Sequence, residues 1–256
     1  MKGRNEMFGF GIDKKTLYIL LGILAIFTIA NLGTSGILNI LLSIPGVLIA
    51  LTFHEFAHAF AADKLGDDTP RMQGRLNLNP FSHVDWMGMI MLIIAGFGWG
   101  KPVEINRRNF SNNKISMSAA EAIVAIAGPI MNFIVAFVFT IIFYVLMVLA
   151  PNLLVALDGS VYMILINVIL INISLGIFNL IPIPPLDGSK VLMHFLPYNA
   201  KEWFENNQYT FYIVLLLLVF IRINGTSLIS NLLTPAITGV FKGMSWAVTS
   251  VINLFI

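Results

Sequence analysis

The chain has 256 residues, of which 57% are hydrophobic and 11% charged, with a formal net charge of +2. A soluble domain carries about 25% charge, so this chain has too little polar surface to cover itself in water and reads as a membrane protein. The near-neutral balance gives no footing for nucleic acid, and the absence of cysteine excludes disulfides and leaves any metal to nitrogen and oxygen ligands.

Apolar runs set the predicted elements. Thr16 to Ala30, preceded by Lys14 and Lys15, is a first membrane helix, and no small-residue cleavage site follows it. Gly36 to Ala62 is a second span, with Pro45 as a place to bend. Ser118 to Leu149 is a third, Asp158 to Leu180 a fourth and Phe204 to Ile221 a fifth, closed by the turn-like Arg222-Ile223-Asn224-Gly225. Leu228 to Ile256 is a sixth, interrupted by Pro235 and Lys242. Two polar stretches, Asp63 to Asp85 and Lys101 to Ser118, are too short for globular domains of their own. The expected fold is an all-α polytopic membrane protein with about six transmembrane helices. It forms one domain over residues 1–256, with a core at about 36–197 and C-terminal helices at about 203–256.

Lysine and arginine set the orientation. Lys2, Arg4, Lys14 and Lys15 precede the first span, Lys64, Arg71 and Arg75 follow the second, and Lys101, Arg107, Arg108 and Lys114 precede the third. Asn31 to Ser35 and Pro151 to Leu157 contain neither residue type, and only Arg222 breaks the pattern. The N-terminus is expected in the cytoplasm, in a multi-pass protein of the cell (inner) membrane. Trp86 to Trp99, "WMGMIMLIIAGFGW", is apolar but has basic flanks at both ends. At about 14 residues it falls short of the roughly 20 a helix needs to cross. It reads as a re-entrant or sheet-like hairpin between the second and third spans, with a thin tilted span as the alternative.

Within the second span, "LTFHEFAHAF" places His54, Glu55 and His58 in an apolar helix. Positions i and i+4 share a helix face, so both histidines can turn a ring nitrogen to one metal, as the HExxH pattern requires. Glu55, about 100° round the helix, can reach a water on the metal without being a ligand. Zinc would lower the pKa of that water, and Glu55 would take its proton and pass it to a leaving amine. A structural pair of histidines leaves the glutamate unexplained, because an acid at mid-helix costs about 2.5–3.5 kcal/mol on insertion scales. A third ligand is suggested by "FNLIPIPPLDGSK", residues 178–190, where three prolines in four positions stop the fourth helix. Asp187 lies just past that break, with Gly188 allowing a sharp turn. It is either the ligand or an N-cap for Ser189 to Phe195.

"HEFAH" in one membrane helix and "NLIPIPPLDG" in a later one resemble the site-2 proteases, a family of intramembrane zinc metalloproteases. The family pattern Asn-x-x-Pro-x-x-x-x-Asp-Gly falls on Asn179, Pro182, Asp187 and Gly188. "AGPIMN" (127–132), "GRLNLNPFSHVDWMG" (74–88) and "GWGKPVEIN" (98–106) resemble further elements of compact bacterial members. The resemblance implies one zinc ion per chain on His54, His58 and Asp187, with Glu55 as the base. It also places Asn179 and Asn132 near the site, where an amide can hold substrate backbone or an oxyanion. Asn179 is otherwise a partner for carbonyls freed by the helix break, and Asn132 a helix-packing residue. His83 is expected to be solvated in its polar loop, and His194 stays outside the ligand set.

The expected function is an endopeptidase that cuts transmembrane helices near the cytoplasmic side, about 12 Å from the helix end at Ala62. Its implied partners are single-pass membrane proteins or signal-peptide remnants within the lipid bilayer. The alternatives are a divalent-metal transporter and an inactive membrane chaperone of the same fold, neither of which needs a general base.

Overall fold

A computed structural model describes residues 14–89, 100–110, 115–223 and 225–254. The chain divides into two compact units, one of Met1–Leu41 and Val84–Lys101, the other of Leu42–His83 and Pro102–Ile256.

In the first unit the backbone is helical from Lys14, the start of α1 (Lys14–Lys64). Gly33 interrupts the helical geometry with φ 66 and ψ 179, a conformation a residue with a Cβ avoids. The break falls between the two apolar runs expected as separate spans. Further along, Val84 and Gly100 form an antiparallel bridge, and the Asp85 carboxylate accepts the Gly88 N–H at 2.9 Å. The expected hairpin, Trp86 to Trp99, lies mostly at 90–99, outside the described residues.

Among the described residues, three helices are long and apolar enough to cross a membrane: the Gly33–Lys64 part of α1, α4 (Met117–Leu149) and α6 (Ser160–Asn179). Two short helices lie in the polar stretch, α2 (Thr69–Met72) and α3 (Pro80–His83), and α5 (Pro151–Val155) joins α4 to α6. Lipid tails are as apolar as leucine, so such helices associate through close packing and hydrogen bonds. Gly46 of α1 meets α6, where a Cβ would lie 2.9 Å from Ile171 Cδ1 and 3.1 Å from the Asn167 carbonyl. Gly176 of α6 meets α4 in turn, against Phe133 and the Pro129 carbonyl. Asn167 Nδ2 also donates to the Leu42 carbonyl at 3.2 Å. The buried cluster Ala136, Phe143, Leu154, Ile169 and Ile173 fills the space between α4, α5 and α6.

After α6 come α7 (Asp187–Phe195) and α8 (Tyr198–Asn206). The fifth apolar run does not form one helix. It divides at Asn207, whose side chain donates back to the Trp203 carbonyl at 2.7 Å, and α9 (Gln208–Phe220) begins beyond. The 13 residues of α9 rise about 20 Å, short of the roughly 30 Å hydrocarbon core. Strands β1 (Arg222–Ile223) and β2 (Thr226–Ser227) pair antiparallel and lead into α10 (Leu228–Ile252). Ile237, Val240, Phe241 and Met244 of α10 pack on the buried cluster.

The segment before α4 is tied to the end of α1 through Asp67, which is fully buried. Its carboxylate accepts the backbone N–H groups of Thr69 at 3.1 Å and Asn106 at 2.8 Å, and Asn109 Nδ2 at 3.0 Å. Burial pushes the Asp67 carboxyl up, but hydrogen bonds from Thr69, Asn106 and Asn109 outweigh it and hold the group below its usual range. A lowered folded pKa contributes stability above the ordinary carboxylate value, and that contribution is lost as pH falls through the folded one. Asp67→Ala should therefore reduce hydrogen-exchange protection at the Asn106 N–H by about tenfold or more at neutral pH, the equivalent of one charge-assisted hydrogen bond. Unchanged protection would mean that the segment is held by other contacts.

Candidate metal centre

One turn of α1 separates His54 from His58, and both rings point into the protein, where 4% and 7% of each residue is exposed. Their centroids lie 4.6 Å apart with the planes nearly perpendicular. Gly128 of α4 faces them, which is why the two helices approach so closely here. Asp187 comes from the other side. Pro182, Pro184 and Pro185 supply no backbone N–H, so α6 stops at Asn179 and the chain turns through Ile183 N–H to Ile181 O and Leu186 N–H to Ile183 O. Gly188 packs directly on the Leu180 and Ile181 carbonyls, leaving no room for a Cβ. It thus serves close approach at the start of α7, where a sharp turn had been expected. Leu186, not Asp187, is the N-cap residue of α7. The Asp187 carboxylate is instead turned to the histidines.

The three donor atoms form a small triangle. His54 Nε2 lies 3.0 Å from His58 Nε2 and 3.1 Å from Asp187 Oδ2, and His58 Nε2 lies 3.2 Å from that same oxygen. Their hydrogen-bond partners decide what these atoms carry. His58 Nδ1 is 2.7 Å from the Val124 carbonyl, which can only accept, so Nδ1 carries a proton and Nε2 is the nitrogen turned to the other two donor atoms. His54 Nδ1 is 2.6 Å from Asn132 Oδ1. Asn132 Nδ2 donates to the Ala50 carbonyl and to Asn172 Oδ1, both at 3.0 Å, so its oxygen is the end that faces His54. His54 Nε2 is likewise the nitrogen that faces the other two donor atoms. In the neutral tautomers it and His58 Nε2 are lone pairs which, buried beside a carboxylate oxygen, need a shared cation to lie so close. Their spacing is close to the roughly 3.3 Å between neighbouring ligands of tetrahedral zinc. The donor set fits a divalent metal, and among the described residues His54, His58 and Asp187 are the only group of this kind.

Glu55 stays out of the triangle, and its Oε2 accepts the Val103 N–H at 3.0 Å. Asn132 is fully buried with both amide hydrogens committed. Asn179 donates to the Leu175 carbonyl in its own helix at 3.1 Å, with no hydrogen bond to its oxygen among the described residues. His83, expected in solvent, is fully buried because its loop folds back on it, with Nε2 2.8 Å from the Asn77 carbonyl. His194 Nδ1 lies 3.2 Å from Ser118 Oγ, outside the donor group. Asp85 and Glu104, two further acids of the connecting loops, bind the Gly88 N–H and Gln73 Nε2. Sequence reasoning missed the roles of Gly128, Val103 and Asn172. Asn172 left a signal, as an amide within an apolar run.

The profile of peptidase family M50 matches residues 42–221. YwhC of Bacillus subtilis is 36% identical over 174 residues, covering 68% of this chain and 78% of that protein. Rip2 of Mycobacterium tuberculosis is 28% identical over 203 residues, covering 77% and 73%. MJ0611 of Methanocaldococcus jannaschii is 27% identical over 183 residues, covering 70% and 84%. All three carry names that call them zinc metalloproteases. No solved structure matches the chain.

A Cβ at Gly128 would sit 2.5 Å from His58 Nε2 and 2.7 Å from His54 Cε1. Gly128→Ala should therefore abolish zinc binding, whereas Gly176→Ala, which presses on the Phe133 ring edge at 3.1 Å, should keep it. Zinc content of the two purified, folded variants tests the cradle. Full zinc occupancy in Gly128→Ala would show that the histidines are not held against that helix.

Proposed function

The chain belongs to peptidase family M50, the site-2 family of intramembrane zinc metalloproteases, and we propose that it is an HExxH-type endopeptidase with one zinc ion on His54, His58 and Asp187. The observation that carries this reading is the convergence of three buried donor atoms, two from α1 and one from the start of α7, with the Glu55 carboxylate next to His54 in sequence. Zinc, when bound, supplies Lewis acidity, acidifying water and polarising a carbonyl. The remaining work falls to the chain. Glu55, one oxygen held by the Val103 N–H and the other without a hydrogen bond among the described residues, takes a proton from the attacking water. As the water oxygen bonds to the scissile carbon and the C–N bond breaks, Glu55 returns that proton to the leaving amine. Asn179 has an oxygen and one N–H left for substrate backbone, whereas the committed hydrogens of Asn132 suit it to holding His54.

The substrates of this reading are single-pass membrane proteins or signal-peptide remnants, cut near the cytoplasmic side of the bilayer. α1 runs ten residues past His54, to Lys64, which puts the site roughly 15 Å from that helix end. The basic residues of the loops favour a cytoplasmic N-terminus. The Val84–Gly100 bridge holds these two residues about 5 Å apart, which supports the reading that the polar stretches on either side of them share one face of the membrane.

Glu55→Gln should abolish cleavage of a co-expressed membrane-anchored substrate and leave zinc bound, while Asp187→Ala should lose both. Cleavage by Glu55→Gln at the wild-type rate would sink the assigned mechanism. A transporter or chaperone would keep its function in that variant. Single cysteines introduced at Gln73 and Asn109 of this cysteine-free chain should label from the same, cytoplasmic, side. Labelling from opposite sides would mean that the intervening apolar segment spans.

A further inference from the structure

Asn172 lies within α6, fully buried, and among the described residues its side chain hydrogen-bonds to Val168 and Asn132 and not to the donor atoms or Glu55. Its Nδ2 donates to the Val168 carbonyl one turn back at 2.8 Å, and its Oδ1 accepts from Asn132 Nδ2 at 3.0 Å. We propose that Asn172 is a positioning residue for the metal centre, fixing which end of the Asn132 amide faces His54 and hence which imidazole nitrogen is bare. This rests on the zinc-protease reading and adds a residue to it.

The two ends of an amide are nearly the same size, so shape alone does not choose between its orientations. Turned the other way, Asn132 would offer N–H to His54 Nδ1, move the imidazole proton to Nε2, and point that proton at His58 and Asp187 in place of a lone pair. Two backbone carbonyls prevent this, because a carbonyl can only accept. Val168 sets the orientation of Asn172, Asn172 and Ala50 together set that of Asn132, and Asn132 sets the His54 tautomer. The four hydrogen bonds of this chain are all buried. A partner behind a ligating histidine fixes its ring and tautomer, and removing such a partner typically weakens metal binding about 10- to 100-fold.

Interhelical glue is the competing role for a buried asparagine, and it would show in stability, not in zinc affinity. The test measures zinc affinity of the full chain in detergent, by competition with a chelating indicator, for wild type, Asn172→Leu and Asn172→Asp. The two Asn172 variants are also measured in an Asn132→Asp background. Asn172→Leu should bind zinc about 10- to 100-fold more weakly. Asn172→Asp should match wild type, because a neutral carboxylic acid keeps a donor for Val168 and an acceptor for Asn132. With Asn132→Asp present, Asn172→Leu should cost nothing further, since a carboxylate offers His54 an oxygen whichever way it turns. Nitrogen-15 spectra of the metal-free protein should show the Nδ1–H form of His54 in wild type and Asn172→Asp, and mixed forms in Asn172→Leu.

Equal affinity in Asn172→Leu and wild type overturns the proposal, as does an Asn172→Asp that falls as far as Asn172→Leu. An added loss from Asn172→Leu in the Asn132→Asp background overturns it too. If Asn172→Leu and the smaller Asn172→Ala both fail to fold, Asn172 is a packing element and the proposal fails. A wild-type chain that binds no zinc would instead sink the protease reading itself.

Discussion

Two imidazole lone pairs and a carboxylate oxygen lie within 3.2 Å of one another where almost no solvent reaches them. With no proton or metal ion shared among them such a cluster is electrostatically unfavourable, and more so in a medium of low dielectric. The second unit is organised around sustaining it. The Val124 carbonyl and the Asn132 oxygen draw the imidazole protons away from the triangle, and the proline break brings Asp187 back from α6 to meet α1. Repulsion that would scatter these groups in a bare protein becomes, with a divalent cation present, the source of tight binding.

The packing that surrounds the cluster is cyclic. Gly46 admits α6 to α1, Gly128 admits α1 to α4, and Gly176 admits α4 to α6. Each helix gives one glycine and receives one neighbour, so each pair in the trio meets at a position without a side chain. In lipid, where burial of apolar surface contributes little between helices, this close approach is the means of cohesion. It also sets the reach of the histidines, because their rings occupy the room that a side chain at 128 would fill.

The metal site was legible because helical spacing and proline chemistry are local. His54 and His58 share a face by their separation alone, and the Pro-rich stop before Asp187 announces a change of direction. The apolar runs that became the Gly33–Lys64 part of α1, α4 and α6 were legible for the same reason. The fifth run was not, since apolarity on both sides of Asn207 hides a break that depends on a side chain folding back to Trp203. His83 was misread as solvated because polar neighbours usually mean water, whereas here the Asn77 carbonyl in its own loop encloses it. Gly128 and Val103 lie in motifs the sequence singles out, but their roles were not legible, since what matters at each is another segment brought close by the tertiary fold. Asn172 stood out only as a polar residue in apolar company, which marks it as purposeful without saying for what.

The strap that crosses from Glu55 to Asp67 measures distance as well as binding. Val103 is fastened at one end and Asn106 at the other, and three residues reach at most about 10–11 Å. Asp67 folds back so that its N–H meets the Ala62 carbonyl. From Glu55 to Ala62 the helix rises about 10 Å. The two lengths are comparable, so the strap has little slack. Evolution can therefore lengthen this connection only outside its two fastenings. An added or lost residue within them would slide one fastening off its carboxylate, and the carboxylate nearer the chemistry is Glu55.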